Sequence, residues 1–190
     1  MSRLRVPALL AVLVLLVVAG VVGLRDPAPR EDAQLAAARA AAALPACPAG
    51  LTTDLPAGTL PCFDGGPAVP VAQAPGRPML VNLWATWCAP CVDEVPALVR
   101  FAAEAQGRVG VVGVVHQDSP ASVYAFAQAF SVDYPLVRDD AGDVLRRYGG
   151  GPPITLLVRA DGTIAHVQSG AFRDLAQIES AVARHLGVQV

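Results

Sequence analysis

The strongest indication of the fold lies in residues 79–91, which read MLVNLWATWCAPC. Its apolar start predicts a buried strand, and Cys88 and Cys91 follow in the pattern Cys-X-X-Cys. Thiols at positions i and i+3 face the same side of a first helical turn, where unpaired backbone N–H groups and the helix dipole stabilise a thiolate at Cys88. Cys91 is then the resolving thiol, and Pro90 suits the start of a helix because it lacks an N–H group. The stretch therefore predicts a strand that leads into a redox-active dithiol.

The Cys-X-X-Cys spacing by itself has two other interpretations. Half of a zinc site has the same spacing, but zinc usually takes four nitrogen or sulfur ligands, and the other half is missing from this sequence. Two ordinary structural cysteines are the second alternative, and the preceding strand, Trp87 and Pro90 all favour a redox turn instead. Trp87 is expected to shield the attacking sulfur from water, with core packing as the alternative role.

No metal or organic cofactor is predicted. His116, His166 and His185 have no spacing to a cysteine or a carboxylate that indicates a ligand set. No glycine-rich nucleotide fingerprint is present, so neither a dinucleotide nor a flavin is expected. The dithiol itself is the expected redox group.

The charge of the chain argues against nucleic acid as a partner. All 14 basic residues are arginines, and the formal net charge is −2. From Arg25 onward, 12 arginines stand against 16 acidic residues, so this part carries a charge of −4. It has no basic stripe of the kind that binds a phosphate backbone.

A membrane segment is predicted at the N-terminus. Arg3 and Arg5 precede residues 6–24, a charge-free run of 19 residues. As a helix, this run is just long enough to cross the roughly 30 Å hydrocarbon core of a bilayer. The positive flank keeps the N-terminus inside, which places the cysteines outside the cytoplasm, where disulfides persist. A cleaved signal peptide is the alternative to a single-pass anchor over residues 1–24, although the run is longer than the apolar region of most such peptides.

Composition divides the rest of the chain into a stalk and a domain. Residues 25–45 form the predicted stalk, and residues 46–78 form a proline-rich extension that predicts turns and short strands at the edge of the domain. The predicted strands are 79–84, 109–115, 154–159 and 163–168, the last two joined by a two-residue turn at Asp161 and Gly162. The predicted helices are 31–44, 88–105, 120–130 and 172–186. This alternation of strands and helices predicts an α/β domain over residues 46–190.

Four motifs in a fixed order resemble one known family. They are residues 81–91 (VNLWATWCAPC), residues 94–96 (EVP), residues 153–157 (PITLL) and residues 161–162 (DG). With them, residues 76–186 resemble the thioredoxin superfamily, and specifically the membrane-anchored, extracytoplasmic TlpA/ResA/CcmG group of thiol-disulfide oxidoreductases. The resemblance implies a thioredoxin-like fold, in which helices flank a central mixed sheet.

The resemblance assigns a role to a proline late in the chain. In this family the proline that opens the late strand has a cis peptide bond and lies against the dithiol, and Pro153 matches it. Pro152 departs from the pattern, because the preceding residue typically offers its backbone N–H and C=O to a substrate strand and proline has no N–H. We therefore expect weaker or differently registered substrate pairing. The alternative is a one-residue shift in the alignment that makes Pro152 the cis residue.

A buried acid near the dithiol is also implied. Glu94 lies one turn beyond Cys91 on the same helix face, where members of the family have a buried acid. Burial would raise the pKa of Glu94 and let it relay the proton that the resolving thiol loses. A solvated glutamate in the first turns of a helix is the alternative. Asn82 stands where thioredoxins proper carry a buried aspartate, so the acid role falls to Glu94, and Asp93 is expected to face solvent.

The two remaining cysteines, Cys47 and Cys62, lie before the redox motif. In an oxidising compartment four cysteines allow three pairings, and the motif fixes Cys88 with Cys91, which leaves Cys47 with Cys62. Such a bond is expected to tie down the proline-rich segment as a structural staple. The alternative is a second redox pair that exchanges with Cys88.

The expected chemistry is thiol-disulfide exchange, in which the Cys88 thiolate attacks a substrate disulfide and Cys91 resolves the mixed disulfide. The family resemblance favours a reductase of exported protein disulfides. Its expected partners are a membrane electron-donor thiol protein and, as one example of a substrate, an apocytochrome c. A disulfide-introducing oxidant is an alternative, because Ala89 and Pro90 do not fix the direction. A thioredoxin-fold binding module whose dithiol no longer turns over is another.

Overall fold

The computed structural model describes residues 28–190. The sheet belongs to the compact unit Ala37–Val190. Helix α1 (Ala28–Ala42) comes first and corresponds to the helix predicted over 31–44, and most of its described side chains are exposed. Within the described residues, no helix is both long and apolar enough to cross a membrane. The predicted anchor over residues 1–24 lies outside them.

In the described part of the chain, seven strands and four further helices follow α1. The strands are β1 (Thr59–Leu60), β2 (Val69–Pro70), β3 (Met79–Trp84), β4 (Gly110–His116), β5 (Leu136–Asp139), β6 (Ile154–Val158) and β7 (Ile164–Ser169). The helices are α2 (Ala89–Ala105), α3 (Pro120–Ala129), α4 (Asp143–Arg146) and α5 (Leu175–Leu186). Five strands form a mixed sheet in the order β5-β4-β3-β6-β7, in which β3, β4 and β5 are parallel and β6 and β7 pair antiparallel. The predicted mixed sheet flanked by helices is confirmed.

The central strand β3 presents its side chains alternately to two buried layers, because successive residues of a strand point to opposite faces. Its odd-numbered residues Met79, Val81 and Leu83 lie in an apolar layer. Residues of β4, β6, α4 and the proline-rich extension complete this layer: Val112, Val114, Ile154, Leu156, Val158, Val144, Leu145, Leu51, Leu55, Leu60, Val69 and Val71. On the other face, Asn82 bonds Glu94 of α2, and Trp84 packs against Phe126 of α3. The extension, together with α4, therefore covers one face of the sheet.

The proline-rich extension also closes one edge of the sheet. Its strands β1 and β2 pair antiparallel. Cys62 then forms a bridge with Val137 of the edge strand β5, and the Phe63 N–H donates to the Leu136 carbonyl at 2.9 Å. The Tyr124 hydroxyl on α3 donates to the Phe63 carbonyl at 2.7 Å. The predicted short strands at the edge of the domain are confirmed, and they cover an edge that would otherwise expose unpaired backbone groups.

Cys47 and Cys62 form a disulfide that fastens the extension to this edge. Besides the bridge made by Cys62, the Cys47 sulfur lies 3.4 Å from the Leu136 carbonyl oxygen. Both cysteines thus lie at β5, whereas Cys88 and Cys91 follow β3, two strands away in the sheet. The predicted bond is present, and its position is that of a staple. Exchange of this pair with Cys88 stays a prediction.

Replacing both cysteines of the staple, Cys47→Ser with Cys62→Ser, is expected to lower the free energy of unfolding by about 3 kcal/mol. The bond restricts the unfolded chain over a sequence separation of 15 residues. Equilibrium unfolding in urea measures the loss. The reduction potential of the Cys88–Cys91 pair serves as the control and should stay unchanged. A shifted potential would contradict a purely structural bond.

The last hairpin corrects one prediction. The two-residue turn expected at Asp161 and Gly162 is a three-residue loop, because the Arg159 N–H donates to the Thr163 carbonyl at 2.9 Å. Gly162 has a φ of 92°, in the left-handed region that favours glycine. The Asp161 carboxylate accepts the Thr163 N–H at 2.9 Å. A left-handed glycine at the end of such a loop is the usual solution for three-residue hairpins.

Candidate active site

The dithiol lies at the start of helix α2, as the sequence predicts. Strand β3 ends at Trp84, and a turn follows in which the Cys88 N–H donates to the Ala85 carbonyl at 3.2 Å. Cys88 is the N-cap of α2, and its sulfur accepts the Cys91 N–H at 3.3 Å. Pro90 lies in the first turn, and the two cysteines form a disulfide. The Cys88 sulfur thus lies where the free N–H groups of the helix stabilise a thiolate.

The loop before β6 lies against the dithiol. The peptide bond between Pro152 and Pro153 is cis. The Pro152 carbonyl oxygen lies 3.4 Å from the Cys88 sulfur. The cis proline is therefore Pro153, and the alternative alignment that gave this position to Pro152 is wrong. Pro152 thus offers a carbonyl group beside the Cys88 sulfur and has no N–H to donate.

Glu94 lies one turn beyond the dithiol with none of its surface exposed. Its Oε1 accepts the backbone N–H of Phe172 at 2.8 Å, and its Oε2 accepts the side-chain amide of Asn82 at 3.0 Å. Burial raises the pKa of Glu94 to about 7, and the two hydrogen bonds, that of Phe172 first, offset only part of the rise. The alternative of a solvated glutamate is wrong. A carboxyl group with this pKa both takes up and releases a proton at neutral pH.

Asn82 fixes the carboxyl group of Glu94 to the sheet. Its Nδ2 donates both to Glu94 and to the Thr155 hydroxyl, each at 3.0 Å, and all three residues are buried. The Tyr134 hydroxyl is also buried and has no hydrogen-bond partner among the described residues. Burial, and then the charge of Glu94, raise the pKa of Tyr134. Asp93 is exposed, as predicted, whereas Glu94 is buried.

Trp87 lies at the surface beside the dithiol, with 58% of its surface exposed. Its indole N–H donates to the Gln117 carbonyl at 3.3 Å, and its ring meets the His116 ring edge to face, with centroids 6.2 Å apart. Core packing as the role of Trp87 is therefore wrong, and Trp84 is the tryptophan of the core. Shielding of the Cys88 sulfur by Trp87 stays a prediction.

Asp118 is a site residue that sequence reasoning missed. Its Oδ2 accepts the backbone N–H of Thr86 at 2.6 Å and the Thr86 hydroxyl at 2.7 Å, two residues before Cys88. Its Oδ1 accepts the Ser119 N–H at 2.8 Å. The sequence could have indicated this residue, since Asp118 follows a predicted strand and polar residues after strands often belong to a site. The carboxyl ends of the neighbouring parallel strands β3 and β4 meet at one edge of the sheet.

The three histidines fall into two groups. His116 Nδ1 is 3.7 Å from Asp139 Oδ2, and Asp139 otherwise accepts N–H groups at the start of α4. His166 and His185 stack with ring centroids 4.0 Å apart. Among the described residues, potential metal-ligand side chains converge at one place, which is formed by Cys47, Cys62 and Asp64. Cys47 and Cys62 are already joined there in the disulfide.

Comparison with known protein families agrees with this geometry. The family model of Redoxin matches residues 51–183, which is more than half of the chain and includes the dithiol, Glu94 and Pro153. The chain belongs to the Redoxin family. The match begins in the proline-rich extension, so the layer that the extension adds to the sheet lies within the matched region.

Two curated relatives of this Redoxin chain are named for thiol-disulfide chemistry. "Thiol-disulfide oxidoreductase ResA" from Bacillus subtilis is 30% identical over 112 residues, which cover 57% of this chain and 62% of ResA. The chain thus spans less than two thirds of the length of that relative. "Thiol:disulfide interchange protein DsbE" from Pseudomonas fluorescens biotype C is 30% identical over 132 residues, which cover 68% of this chain and 72% of DsbE. The predicted resemblance to the ResA-like group of the thioredoxin superfamily is confirmed, whereas its membrane anchoring stays a prediction.

Solved structures share the fold of this Redoxin chain. A thiol:disulfide interchange protein of the thioredoxin family from Chlorobium tepidum has a TM-score of 0.60 at 23% identity, covering 75% of this chain and 99% of that one. A secreted Mycobacterium tuberculosis disulfide oxidoreductase, homologous to Escherichia coli DsbE, has a TM-score of 0.56 at 24% identity, covering 67% of this chain and 95% of that one. These likenesses confirm the thioredoxin-like fold.

Proposed function

We propose that the protein is a thiol-disulfide oxidoreductase that reduces disulfide bonds of exported proteins. In the reduced enzyme, the Cys88 thiolate attacks one sulfur of a substrate disulfide, and the other substrate sulfur leaves as a thiolate. The Cys91 thiol then loses its proton and attacks the Cys88 sulfur of the mixed disulfide. The products are the Cys88–Cys91 disulfide and a substrate with two thiols, so two electrons pass from the enzyme to the substrate.

One observation carries this proposal: the dithiol, the cis Pro153 and a buried carboxyl group are brought together at the N-terminus of α2. Cys88 is 5% exposed and Cys91 is 1% exposed, so the outer sulfur suits attack and the inner one suits resolution. Glu94 lies one turn from Cys91, and burial raises its pKa to about 7. Its ionised form accepts the proton that Cys91 loses.

The proposed location is the outer side of the cytoplasmic membrane. The segment over residues 6–24 is the proposed anchor, with Arg3 and Arg5 on its inner side. The Cys47–Cys62 disulfide supports an oxidising compartment, since structural disulfides persist there. In such a compartment a membrane thiol protein must return electrons to the enzyme. The proposed substrate is an exported protein with a Cys-X-X-Cys-His motif, such as an apocytochrome c that awaits its haem.

Insulin reduction tests the proposal. The full chain should accelerate the reduction of insulin disulfides by dithiothreitol, which returns electrons to the Cys88–Cys91 pair. A binding module whose dithiol does not turn over should leave the rate unchanged, and this result would contradict the proposed exchange. Dithiothreitol also reduces the dithiol of an oxidant, so the direction of exchange is tested by the reduction potential.

Substrate pairing is expected to respond to the missing N–H of Pro152. The variant Pro152→Thr supplies a donor beside the cis Pro153, and one hydrogen bond contributes about 0.5–1.5 kcal/mol. We therefore expect the KM for a peptide disulfide to fall about three- to tenfold, with little change in kcat. Gly151→Ala is the control, because a Cβ there meets nothing within 4 Å and adds no donor. Equal KM values for Pro152→Thr and the wild type would contradict the expectation.

A further inference from the structure

The turn that presents Cys88 is held from outside its own helix. It is closed by the backbone hydrogen bond of 3.2 Å from the Cys88 N–H, and its two central residues are Thr86 and Trp87. Both are bound by the two residues that follow β4. Asp118 accepts from Thr86, and the Gln117 carbonyl accepts from the Trp87 indole. The position of the attacking cysteine therefore depends on a segment some 30 residues later in the sequence.

Asp118 uses both of its carboxylate oxygens in this contact. Oδ2 accepts the N–H and the hydroxyl of Thr86 at 2.6 and 2.7 Å, and Oδ1 accepts the Ser119 N–H at 2.8 Å. Ser119 is the N-cap of α3, and its hydroxyl oxygen accepts the Ser122 N–H at 3.1 Å. The carboxylate thus ties the redox turn to the start of α3 through three hydrogen bonds.

The backbone before Asp118 has an unusual conformation. Gln117 has a φ of 44°, in the left-handed region that residues with a side chain seldom adopt. Its N–H donates to the Asp139 carbonyl at 3.2 Å, while its own carbonyl reaches Trp87. Residues held in such conformations persist where the surroundings fix them, and they cluster at functional sites. This segment is therefore held on one side by the end of β5 and on the other by the redox turn.

We propose that Asp118 is a positioning residue for thiol-disulfide exchange, which through Thr86 holds the Cys88 sulfur at the N-terminus of α2. The inference rests on the proposed function, because it assigns Asp118 a part in the attack by Cys88. The helix stabilises a thiolate only within its first turn, so a small displacement of the sulfur weakens that effect. The charge of Asp118 acts in the opposite direction, since a nearby negative charge disfavours a thiolate. Position and charge therefore predict opposite effects of removing the carboxylate.

The test is the alkylation rate of Cys88 by iodoacetamide in the reduced full chain, with the modified residue identified by mass spectrometry. Thr86→Val removes one hydrogen bond and leaves the charge of Asp118 in place. Asp118→Ala removes the charge and both bonds to Thr86. Each variant is expected to slow alkylation at neutral pH about tenfold and to move the pH profile of the rate upward. The double variant should be no slower than Asp118→Ala alone, because both changes act on one contact.

Two further variants separate positioning from a general loss of stability. Ser119→Ala removes the cap of α3 and no bond to the redox turn, so it should lower Tm without changing the alkylation rate. Asp118→Asn keeps an acceptor for Thr86 and should recover most of the wild-type rate.

Three results would overturn the proposal. Faster alkylation in Asp118→Ala would mean that the negative charge of Asp118 lowers the reactivity of Cys88 and that its hold on the turn has no effect. Equally slow alkylation of Cys88 in Ser119→Ala would mean that the effect comes from the stability of α3 and not from the contact with Thr86. Unchanged alkylation in Thr86→Val and Asp118→Ala would remove the role altogether. A wild-type chain that fails to reduce insulin would refute the proposed function instead, because alkylation of Cys88 needs no protein substrate.

Discussion

The variant Cys88→Ser is expected to lose all insulin-reducing activity, whereas Cys91→Ser is expected to trap its substrate. Without Cys88 no thiolate at the N-terminus of α2 attacks the substrate. Without Cys91 the attack proceeds, but the mixed disulfide is not resolved, so a covalent complex accumulates. Non-reducing electrophoresis, followed by mass spectrometry of the linked peptides, measures the complex and identifies the sulfur that carries it.

The chain offers a matched control for these variants. The double replacement Cys47→Ser with Cys62→Ser removes the other disulfide and should leave the rate of insulin reduction unchanged. Activity that persists in Cys88→Ser would contradict the mechanism. A complex linked through Cys47 or Cys62 would instead assign the exchange to the second pair.

The variant Glu94→Gln is expected to slow the resolving step about 100-fold. The ionised carboxylate takes the proton from Cys91, so in the wild type the rate of resolution should rise with pH through about 7, the raised pKa of Glu94. Glutamine does not ionise, so this rise should disappear. Single-turnover kinetics with a peptide disulfide, recorded across this pH range, separate resolution from the first attack. A variant that keeps the inflection near pH 7 would assign it to another group.

The same variant is expected to change how stability depends on pH. The pKa of Glu94 is raised from 4.5 to about 7 in the folded protein, mainly by burial. Its contribution to stability is therefore fully present below about pH 4.5 and is lost as the pH rises through about 7, because the unfolded chain releases the proton first. The wild type should lose roughly 3 kcal/mol of the free energy of unfolding over this range, and Glu94→Gln should lose none from this position. Urea unfolding of the oxidised proteins measures the difference, and parallel pH dependences would contradict it.

The parts of the fold that depend on residues close together in the sequence are predictable from it. The apolar run of β3, the cysteine spacing and Pro90 all lie within 13 residues, so the strand, the turn and the start of α2 follow from local rules. These local rules do not predict strand β5. It has four residues, and its outer hydrogen bonds come from Pro61 and Phe63, which lie more than 70 residues earlier. Helix α5 starts at Leu175 rather than at residue 172, because extended Asp174 caps it by accepting the Gln177 N–H. The Phe172 N–H before the cap is bound by Glu94.

The candidate site likewise has features that local sequence patterns predict and features that depend on residues far apart in the sequence. The sequence places Glu94 on the helix face of Cys91, but its burial depends on Asn82 of β3 and on Phe172, 78 residues later. Family resemblance therefore indicated the acid before any local rule did. Asp118 has the local pattern of a residue before a helix cap, and its bonds to Thr86 depend on two parallel strands ending side by side. Contacts of this kind form only when the sheet assembles.

The reduction potential of the Cys88–Cys91 pair separates a reductase from an oxidant. The full chain is equilibrated with thiol buffers of known potential, and the reduced fraction is read by thiol alkylation and by the fluorescence of Trp87, which lies exposed beside Cys88. A reductase of exported disulfides predicts a potential of about −270 mV or lower, as in thioredoxin. A potential near about −120 mV, as in strong disulfide-introducing oxidants, would contradict it.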